Sequence, residues 1–180
     1  MTISDFSTVS PELQERVWQL YENSFPDYER RSNKAQQQAF SDNSSHSMVI
    51  TDNDSNLQAI VFYWTYDNVV YVEFLAVNPE MRGRSIGSAV MRQLLSLYPN
   101  KLIVLEIEPP EDEMTIRRLH FYERLGFVLN PQSYVHPSYH TGKAAHPHRL
   151  SIMSYRRPLD DKEFNTFTTF VKNTILKYID

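Results

Sequence analysis

The sequence predicts an α/β fold in which a mixed, mostly antiparallel sheet is flanked by helices. Three strand-like segments at residues 47–51, 57–66 and 69–77 are joined by turn-forming runs, and they predict an antiparallel meander. The third segment leads through a helical pattern into another apolar segment at 102–107, which predicts a parallel βαβ unit. Together these observations predict a central sheet with helices on its faces.

The N-terminal segment predicts one strand and two helices. Residues 3–9 are expected to form a short strand, and Ser10-Pro11-Glu12 supplies an N-cap, a proline at the first helical position and an acid. Apolar residues spaced three and four apart give this first helix one buried face as far as Pro26. A second, more polar helix is expected over residues 28–40, with Gln36-Gln37-Gln38 on its exposed side.

The second half of the chain alternates helices and strands. A helical pattern runs from Ile86 to about residue 99, and Asp112 or one of its neighbours caps another helix that Gly126 closes. Strands are expected at 127–129 and 149–155. The buried face of the helix after Asp112 is expected to consist of Ile116, Leu119, Tyr122 and Leu125.

A loop dense in tyrosine, histidine and proline separates the strands at 127–129 and 149–155. Its histidines show no metal-ligand spacing on a regular element, so no metal site is expected. After the last strand, Asp160-Asp161-Lys162-Glu163 forms a capping box that opens an amphipathic helix over about residues 160–179. Because no repeat, linker or low-complexity tract interrupts the chain, residues 1–180 are expected to form a single domain.

The composition excludes several function classes. The chain has 180 residues and a formal net charge of −4, which disfavours nucleic-acid binding because phosphate backbones require a basic face. There is no cysteine, so disulfides, thiolate catalysis and cysteine-based zinc sites are excluded. No apolar run approaches the roughly 20 residues that cross a bilayer, and the N-terminus lacks a signal-peptide pattern. We therefore expect a cytoplasmic protein with neither a membrane nor a nucleic-acid partner.

The stretch after the third meander strand has the features of an anion-binding loop. The strand at 69–77 passes through a tight loop directly into a helix, and backbone N–H groups at such a helix N-terminus form a concave site for an anion. Gly83 and Gly87 permit a close approach of the backbone, and Arg82 and Arg84 add positive charge. The loop matches neither a Walker loop nor a dinucleotide fingerprint. A phosphate or pyrophosphate is the expected ligand.

Two motifs in this part of the chain carry a resemblance to a known family. Leu75-Ala76-Val77 precedes the loop Arg82-Gly83-Arg84-Ser85-Ile86-Gly87, and Tyr122-x-x-x-Gly126-Phe127 follows it. The combination resembles the GCN5-related N-acetyltransferase (GNAT) superfamily, and the stretch 105–113 is similar to a bacterial subgroup within it. The order of elements over residues 1–157 fits that superfamily, with the C-terminal helix as an addition. The resemblance implies a GNAT-like acyl-CoA N-acyltransferase fold with one parallel, splayed strand pair.

The resemblance also implies acetyl-CoA as co-substrate. The backbone of Leu75 and Val77 would hold the pantetheine arm, the Leu75 N–H would donate to the oxyanion, and the pyrophosphate would lie on the N–H groups of residues 83–88. The family usually has glycine where this chain has Ser85, which would be strained only at positive φ. Arg118 is a further departure, because many members have alanine there. The cofactor-binding residues implied are Leu75, Ala76, Val77, Arg82, Gly83, Arg84, Ser85, Ile86, Gly87 and Ser88.

Acetyl transfer to an amine requires a base, a polarised thioester carbonyl and a proton for the leaving thiolate. Tyr122 is expected to be the general acid, because a phenol with a reference pKa of about 10 is neutral at pH 7. A tyrosine packed in the core is the alternative explanation. Glu73 is expected to be the base, since it shares a strand face with Tyr71 and Leu75. Glu106 is the second candidate, because charges inside otherwise apolar strands are uncommon.

The acceptor side is expected to combine an acid with aromatic walls. Glu108 alternates with Leu105 and Ile107, which places it on the same strand face as Glu106, although a solvated strand end is the alternative. The residues expected to form walls for an aliphatic amine are Tyr134, His136 and Tyr139.

The expected function is acetyl transfer from acetyl-CoA to a primary amine of a small molecule or peptide. The alternatives are a catalytically silent acyl-CoA-binding or regulatory module, and a protein with another phosphate-bearing ligand. Polyamines, amino acids, antibiotics, protein N-termini and lysine side chains all remain open as acceptors, and the chain is expected to be a monomer or a homodimer. A cationic amine is favoured by an acidic stretch that comprises Glu106, Glu108, Glu111, Asp112 and Glu113.

Overall fold

The computed structural model describes residues 1–179, which fold as two compact units. The first unit comprises residues 1–26 and 40–101, and the second comprises residues 27–39 and the chain from residue 102 onward. Within the described residues, no helix is both long and apolar enough to cross a membrane. The single-domain organisation expected from the sequence remains a prediction.

Five helices and eight strands make up the regular structure of residues 1–179. The helices are α1 (Pro11–Ser24), α2 (Asn33–Ala39), α3 (Ile86–Leu97), α4 (Glu113–Glu123) and α5 (Asp161–Asn173). The strands are β1 (Thr2–Ser4), β2 (Ser45–Thr51), β3 (Leu57–Tyr66), β4 (Val69–Val77), β5 (Leu102–Ile107), β6 (Phe127–Leu129), β7 (Tyr134–His136) and β8 (His148–Tyr155). Short 3₁₀ segments cover Phe6–Thr8, Asp27–Glu29, Pro79–Met81, Gly142–Ala144 and Ile175–Lys177.

The first unit contains the predicted antiparallel meander. Strands β1 to β4 pair antiparallel in chain order, and the predicted bounds of β3 and β4 are confirmed. Helix α1 packs on one face of these strands through Tyr21, whose ring contacts Phe62 (5.6 Å between centroids) and Phe74 (5.0 Å). Helix α3 buries Val90, Met91 and Leu94. The apolar alternation in the sequence therefore identified the core of this unit.

The N-terminal strand is shorter than predicted. We expected a strand over residues 3–9, but β1 ends at Ser4 and a 3₁₀ turn follows. The turn forms because the Asp5 carboxylate accepts the Ser7 N–H (2.9 Å) and the Ser7 hydroxyl, an alternative to strand pairing that short polar side chains favour. Phe6 is buried within this turn.

The second unit is built around β8. This strand pairs antiparallel with β5, β6 and β7, and the pairs of β7 are Tyr134 with Leu150 and His136 with His148. Strand β7 was not predicted, because three residues within a stretch rich in tyrosine, histidine and proline give no strand signal. The expected loop between 129 and 149 is therefore partly strand.

Helix α4 is confirmed, whereas half of its predicted buried face is wrong. Asp112 accepts the Thr115 N–H (2.8 Å) as the N-cap, and Tyr122 and Leu125 are buried. Ile116 is 38% exposed and Leu119 is only half-buried. Thr115 is buried instead of Ile116 in the N-terminal half of the helix, and its side chain completes the capping box with Asp112.

Helices α2 and α5 are also shorter than predicted. Helix α2 begins at Asn33 rather than near residue 28, and Gln36 is buried rather than exposed, because its Oε1 accepts a hydrogen bond from Arg31 (2.9 Å). Helix α5 opens with the predicted capping box of Asp160 and Glu163 but ends at Asn173. The predicted apolar face of α5 is confirmed by its buried residues, Phe167, Val171 and, in the following 3₁₀ turn, Ile175.

Candidate active site

The loop after β4 presents backbone N–H groups at the N-terminus of α3. The Asn78 side chain fixes the start of the loop, because Nδ2 donates to the Leu57 carbonyl (2.9 Å) and Oδ1 accepts the Glu80 N–H (3.1 Å). The first hydrogen bond of α3 runs from the Ala89 N–H to the Ser85 carbonyl (3.0 Å). The N–H groups that precede Ala89 in this helix have no intrahelical acceptor, which is the geometry that binds anions.

Two residues at positive φ shape this loop. Gly83 has φ of +77°, which glycine adopts without steric cost. Ser85 is the N-cap of α3 and lies in the left-handed region at φ 59°, ψ 16°, where its Cβ is strained. The condition under which the sequence analysis expected strain is therefore met. The other predicted cofactor residues lie at the end of β4 (Leu75, Ala76, Val77), in the exposed loop (Arg82, Arg84) and in the first turn of α3 (Ile86, Gly87, Ser88).

Glu73 is the extra residue of a β-bulge in β4. Two consecutive residues of β3, Phe62 and Tyr63, pair with Phe74 and Val72 of β4, so Glu73 has no partner across this register. A bulge of this kind twists a strand locally and changes the direction of its side chains. Bulges of this type are frequent next to active sites.

The bulge changes which residues share a face with Glu73. Tyr71 pairs with Trp64, and Leu75 pairs with Val61. Trp64 and Val61 are three residues apart on a regular strand, so Tyr71 and Leu75 lie on opposite faces. The expectation that Glu73 shares a face with both is wrong. Glu73 itself is held by the Trp64 indole N–H, which donates to Glu73 Oε2 (2.7 Å).

Tyr122 lies on α4 in an aromatic environment of the second unit. The residue is 8% exposed, and its ring contacts Phe121 (4.9 Å between centroids) and Phe127 (5.8 Å). Burial raises the pKa of Tyr122 to about 12, against a smaller lowering effect of Arg118. The phenol is therefore neutral throughout the physiological pH range.

Gly126 closes the turn after α4, as predicted. Its φ is +92°, and a Cβ at this position would lie 3.0 Å from the Tyr155 ring. Both the backbone conformation and the close ring exclude a larger residue here. This explains the glycine of the second motif.

Glu106 and His136 face each other in the interior of the second unit. Glu106 Oε2 lies 4.0 Å from His136 Nε2, and the side chains are 9% and 1% exposed. Strand alternation buries His136 and Tyr134 and exposes Val135 between them. His136 Nδ1–H donates to the Pro137 carbonyl, which leaves Nε2 facing Glu106. Among residues 1–179, His136 Nε2 has no hydrogen-bond partner.

The three predicted aromatic walls have different surroundings. The His136 ring packs against Tyr139 at a tilt of 33° (4.7 Å between centroids), and its centroid lies 5.4 Å from that of His148. The Tyr134 ring packs against Phe167 of α5 (5.8 Å), so core packing accounts for its position. No three His, Asp or Glu side chains of the described residues are grouped as metal ligands would be.

The acidic stretch at residues 106–113 is largely neutralised. Asp112 is the N-cap of α4, and Glu108, Glu111 and Glu113 form ion pairs with arginines. The pairs are Glu108–Arg118, Glu111–Arg149 and Glu113–Arg117. The acidic stretch therefore attracts a cationic amine less strongly than the sequence indicates, because an ion pair removes most of the field that a lone carboxylate would present. Arg118, a departure from the family pattern, is the partner of Glu108.

Two charged residues of this unit were missed by the sequence analysis. Arg31 is fully buried, and Glu29 is partly buried, so that burial and the Glu108 carboxylate raise the Glu29 pKa. Both lie in a run of charged residues that reads as a solvated segment. Their burial could not be predicted from neighbouring residues, because groups around them lie far along the chain: Ile175 and Tyr178 beside Arg31, and Glu108 beside Glu29.

The chain is an α/β protein in which a bulged strand leads through an exposed loop into the free N-terminus of a helix. Comparison with known proteins identifies the family within that class. The family profile described as the acetyltransferase (GNAT) family matches residues 11–127. The chain therefore belongs to the GNAT acetyltransferase family, which uses acetyl-CoA. The predicted fold class and the family resemblance are confirmed.

Individual proteins agree with this assignment. The chain is 33% identical over 76 residues to the "Putative acetyltransferase YjbC" of Bacillus subtilis (strain 168), a match that spans 41% of this chain and 38% of that relative. A GNAT-family structure from Bacteroides thetaiotaomicron matches with a TM-score of 0.82, 26% identity and 98% coverage of both chains. An aminoglycoside 6'-N-acetyltransferase in complex with coenzyme A matches with a TM-score of 0.62 and 15% identity, covering 89% of this chain and 100% of that one. The last likeness concerns the fold alone.

Proposed function

We propose that this protein transfers an acetyl group from acetyl-CoA to a primary amine of a small molecule or peptide. The observation that carries the proposal is the helix N-terminus of α3, whose N–H groups and two residues at positive φ form an anion site inside the family-matched region. A diphosphate is the part of acetyl-CoA that such a site recognises. Membership of the GNAT family, which uses acetyl-CoA, supports this choice of ligand.

The cofactor site follows from the loop geometry. The diphosphate lies on the N–H groups of residues 83–88, and Arg82 and Arg84 contribute charge from exposed positions. The backbone of Leu75, Ala76 and Val77 holds the pantetheine arm by strand-like hydrogen bonds. The Leu75 N–H, two residues after the bulge, donates to the oxygen of the thioester carbonyl as it becomes an oxyanion.

The reaction is a direct attack in which the acceptor nitrogen loses two protons and the sulfur gains one. A base removes one proton from the acceptor ammonium, and the free amine nitrogen then bonds to the carbonyl carbon. As the C–S bond breaks, the nitrogen releases its second proton to solvent, which gives a neutral amide and the thiolate of coenzyme A. We assign the base to Glu73, whose carboxylate is oriented by Trp64 at the bulge. Glu106 is the second candidate, because it is a buried carboxylate beside His136.

Tyr122 is the proposed general acid for the thiolate. Its raised pKa, about 12, keeps the proton on the phenol at neutral pH. The same pKa makes complete transfer to a thiolate unfavourable, since a thiol has a reference pKa of about 8.5. Tyr122 therefore acts chiefly by donating a hydrogen bond to sulfur as negative charge develops there, with solvent supplying the final proton.

The acceptor side is assigned to residues of the second unit. Glu106, His136 and Tyr139 form one buried group, and the polar strand end at Glu108 is paired with Arg118. We retain Glu108, Tyr134, His136 and Tyr139 as acceptor-site residues. Substituting His136 or Tyr139 raises the KM for the acceptor and leaves acetyl-CoA binding unchanged, a result that steady-state kinetics with each substrate varied would test.

The decisive experiment separates an enzyme from a silent acyl-CoA-binding module. Thermal unfolding is measured with and without acetyl-CoA, and thiol release is followed with a panel of amines and short peptides. Stabilisation together with amine-dependent thiol release supports the proposed enzyme. Stabilisation without thiol release across the panel supports the module, and absence of stabilisation by acetyl-CoA contradicts both.

A further inference from the structure

A buried arginine connects three segments of the second unit. Arg31, two residues before α2, is fully buried, and its guanidinium donates to one carbonyl of the C-terminal 3₁₀ segment and to one carbonyl directly after that segment. Nε donates to the Tyr178 carbonyl (2.7 Å) and Nη2 to the Ile175 carbonyl (3.1 Å). Nη1 donates to Gln36 Oε1 (2.9 Å). A charge is tolerated at such depth only when its donors are satisfied in this way.

The same guanidinium packs against an aromatic ring. Arg31 Cζ lies 4.9 Å from the Tyr139 ring centroid, a cation–π distance. Tyr139 packs in turn against His136, with 4.7 Å between centroids and 33° between the ring planes, and His136 Nε2 lies 4.0 Å from Glu106 Oε2. Four buried side chains therefore form a continuous row, which we call the Arg31 row: Arg31, Tyr139, His136 and Glu106.

We propose that Arg31 is a positioning residue that makes the C-terminal segment part of the acceptor site. This inference rests on the proposed function, since the inner end of the Arg31 row consists of residues assigned there to the acceptor. The guanidinium holds the carbonyls of Ile175 and Tyr178 on one side and the Tyr139 ring on the other. The ring sets the plane of the His136 imidazole, and the Pro137 carbonyl sets which nitrogen faces Glu106.

The geometry of arginine is specific to this task. Its planar fork donates to several carbonyls in fixed directions and stacks on a ring at the same time, which the single ammonium group of lysine does not reproduce. The C-terminal residues also lie outside the region that the family profile matches, residues 11–127, whereas Arg31 lies within it. The row thus connects the family region to the part of the chain that follows it.

Several titratable groups from other elements lie around the Arg31 row, and a substitution of Arg31 leaves them in place. Glu106 faces His136 from β5, and His148 lies beside it on β8. Glu29 interacts electrostatically with His136 from the 3₁₀ turn before Arg31. Removing the fork of Arg31 therefore leaves the acids in place and alters the ring orientation.

The test compares Arg31→Lys with the native chain and with Lys34→Gln, an exposed change on α2. Arg31→Lys is expected to raise the KM for the acceptor about tenfold while the KM for acetyl-CoA stays constant. Lys34→Gln is expected to change neither value. A purely structural role would instead lower the amount of active enzyme, which reduces apparent kcat without moving either KM.

A second variant tests the proposal if Arg31→Lys folds poorly. A second readout tests it if the native chain shows no activity with any amine. Gln36→Leu removes one acceptor of the guanidinium and is expected to raise the acceptor KM by about threefold. In parallel, ¹⁵N NMR of the His136 imidazole reports its tautomer without any substrate. The Nδ1–H form is expected in the native chain, where Nδ1 donates to the Pro137 carbonyl. A mixture of tautomers is expected in the variants, because a reoriented Tyr139 ring no longer holds the imidazole against that carbonyl.

The outcomes separate the two proposals. Unchanged acceptor KM and unchanged His136 tautomer in a folded variant would overturn the positioning role while leaving the acetyltransferase proposal intact. If the native chain releases no thiol with any amine, the proposed function fails. The NMR comparison then decides the positioning role alone, since a changed His136 tautomer supports it and an unchanged one overturns it.

Discussion

The Trp64 indole N–H donates a 2.7 Å hydrogen bond to the Glu73 carboxylate, at the residue where β4 bulges away from β3. Trp64 is buried, and Glu73 is only half-buried. The bond fixes the direction of a carboxylate on an irregular part of the strand, two residues before the Leu75 N–H. The proposed base and the proposed oxyanion donor thus lie within two residues of each other at one local distortion of the sheet.

Glu73→Gln tests the assignment of the base. Glutamine retains an oxygen that can accept the Trp64 N–H, so the substitution removes the proton acceptor without removing the hydrogen bond. We expect kcat to fall by about 10²–10⁴-fold at pH 7, with the Kd for acetyl-CoA unchanged, because general-base catalysis contributes on that scale. Stopped assays of thiol release and calorimetric titration measure the two quantities.

Glu106→Gln serves as the comparison for Glu73→Gln. It is expected to lower kcat by less, and mainly to affect the acceptor KM through His136. A larger loss of kcat in Glu106→Gln than in Glu73→Gln would reverse the order of the two candidates.

Tyr122→Phe tests the proposed acid. The phenol lies between Phe121 and Phe127, so phenylalanine fits the same space, and we expect the variant to fold. Loss of a hydrogen bond to the leaving sulfur is expected to lower kcat by about 10–10³-fold. Circular dichroism and kinetics with saturating acetyl-CoA check the fold and the rate.

The raised pKa of Tyr122 adds a prediction about alkaline pH. Because the folded-state pKa, about 12, exceeds the unfolded value near 10, the neutral phenol contributes stability that is fully present below pH 10. That contribution is lost as the pH rises from 10 through 12. Kinetics of the native enzyme should therefore show no alkaline loss from Tyr122 below pH 10, and a tyrosine titration at pH 8–9 observed by absorbance for this residue would contradict the burial.

Ser85→Gly tests the strained position of the cofactor loop. Glycine adopts φ near 59° without the Cβ cost, so the free energy of unfolding is expected to rise by about 0.5–1 kcal/mol. The Kd for acetyl-CoA should fall about two- to fivefold, because the loop is held more readily in its binding conformation. Ser55→Gly is a matched control, since Ser55 also has positive φ (63°) in a turn far along the chain from this loop. It should gain similar stability with no change in Kd, and equal Kd changes in both variants would argue against a role for the loop.

Strand bounds, the glycine that closes α4 and the capping box of α5 show how much of the fold the sequence could predict. Strands β3, β4, β5 and β6 were placed with their observed bounds, because alternation or continuous apolar runs end there at turn-forming residues. The closing glycine of α4 and the capping box of α5 were equally clear, since both depend on neighbours in the chain. These features are local, and local chemistry is readable from one sequence.

Features that depend on distant residues were not predictable. The bulge at Glu73 arises from a mismatch between two strands, so no pattern within β4 announces it. Arg31 is buried by carbonyls of residues 175 and 178, about 145 positions later, while its neighbours in sequence are polar. The ion pairs of Glu108 and Glu111 likewise join separate segments. The two carbonyl partners of Arg31 and the arginine partner of Glu111 lie at least 38 positions away in the sequence, so no local pattern could indicate them.

Glu163→Gln tests an electrostatic contribution to α5 as a function of pH. Arg157 donates two hydrogen bonds to Glu163 (2.7 and 2.8 Å), and these bonds lower the Glu163 pKa to about 2. A lowered folded-state pKa gives stability that is present above the unfolded pKa of 4.5 and is lost as the pH falls through 2. The single amide oxygen of glutamine can keep the capping-box bond from the Asp160 N–H, so the substitution removes the charge and one of the two hydrogen bonds from Arg157.

We expect Glu163→Gln to lower the free energy of unfolding by about 1–2 kcal/mol at pH 7 and by almost nothing below pH 2. Urea unfolding at a series of pH values measures the difference, with Asp54→Asn in an exposed turn as the control. An equal cost at both ends of the series would show that shape rather than charge is responsible.

Acetyl transfer is tested most directly by thiol release from acetyl-CoA in the presence of a panel of primary amines and short peptides, followed by mass spectrometry of the acceptor. We expect amine-dependent release of coenzyme A and a product in which an acetyl group replaces one hydrogen of the acceptor. The release should fall by at least about 10²-fold in Glu73→Gln. Binding of acetyl-CoA without release of thiol with any amine of the panel would contradict acetyl transfer.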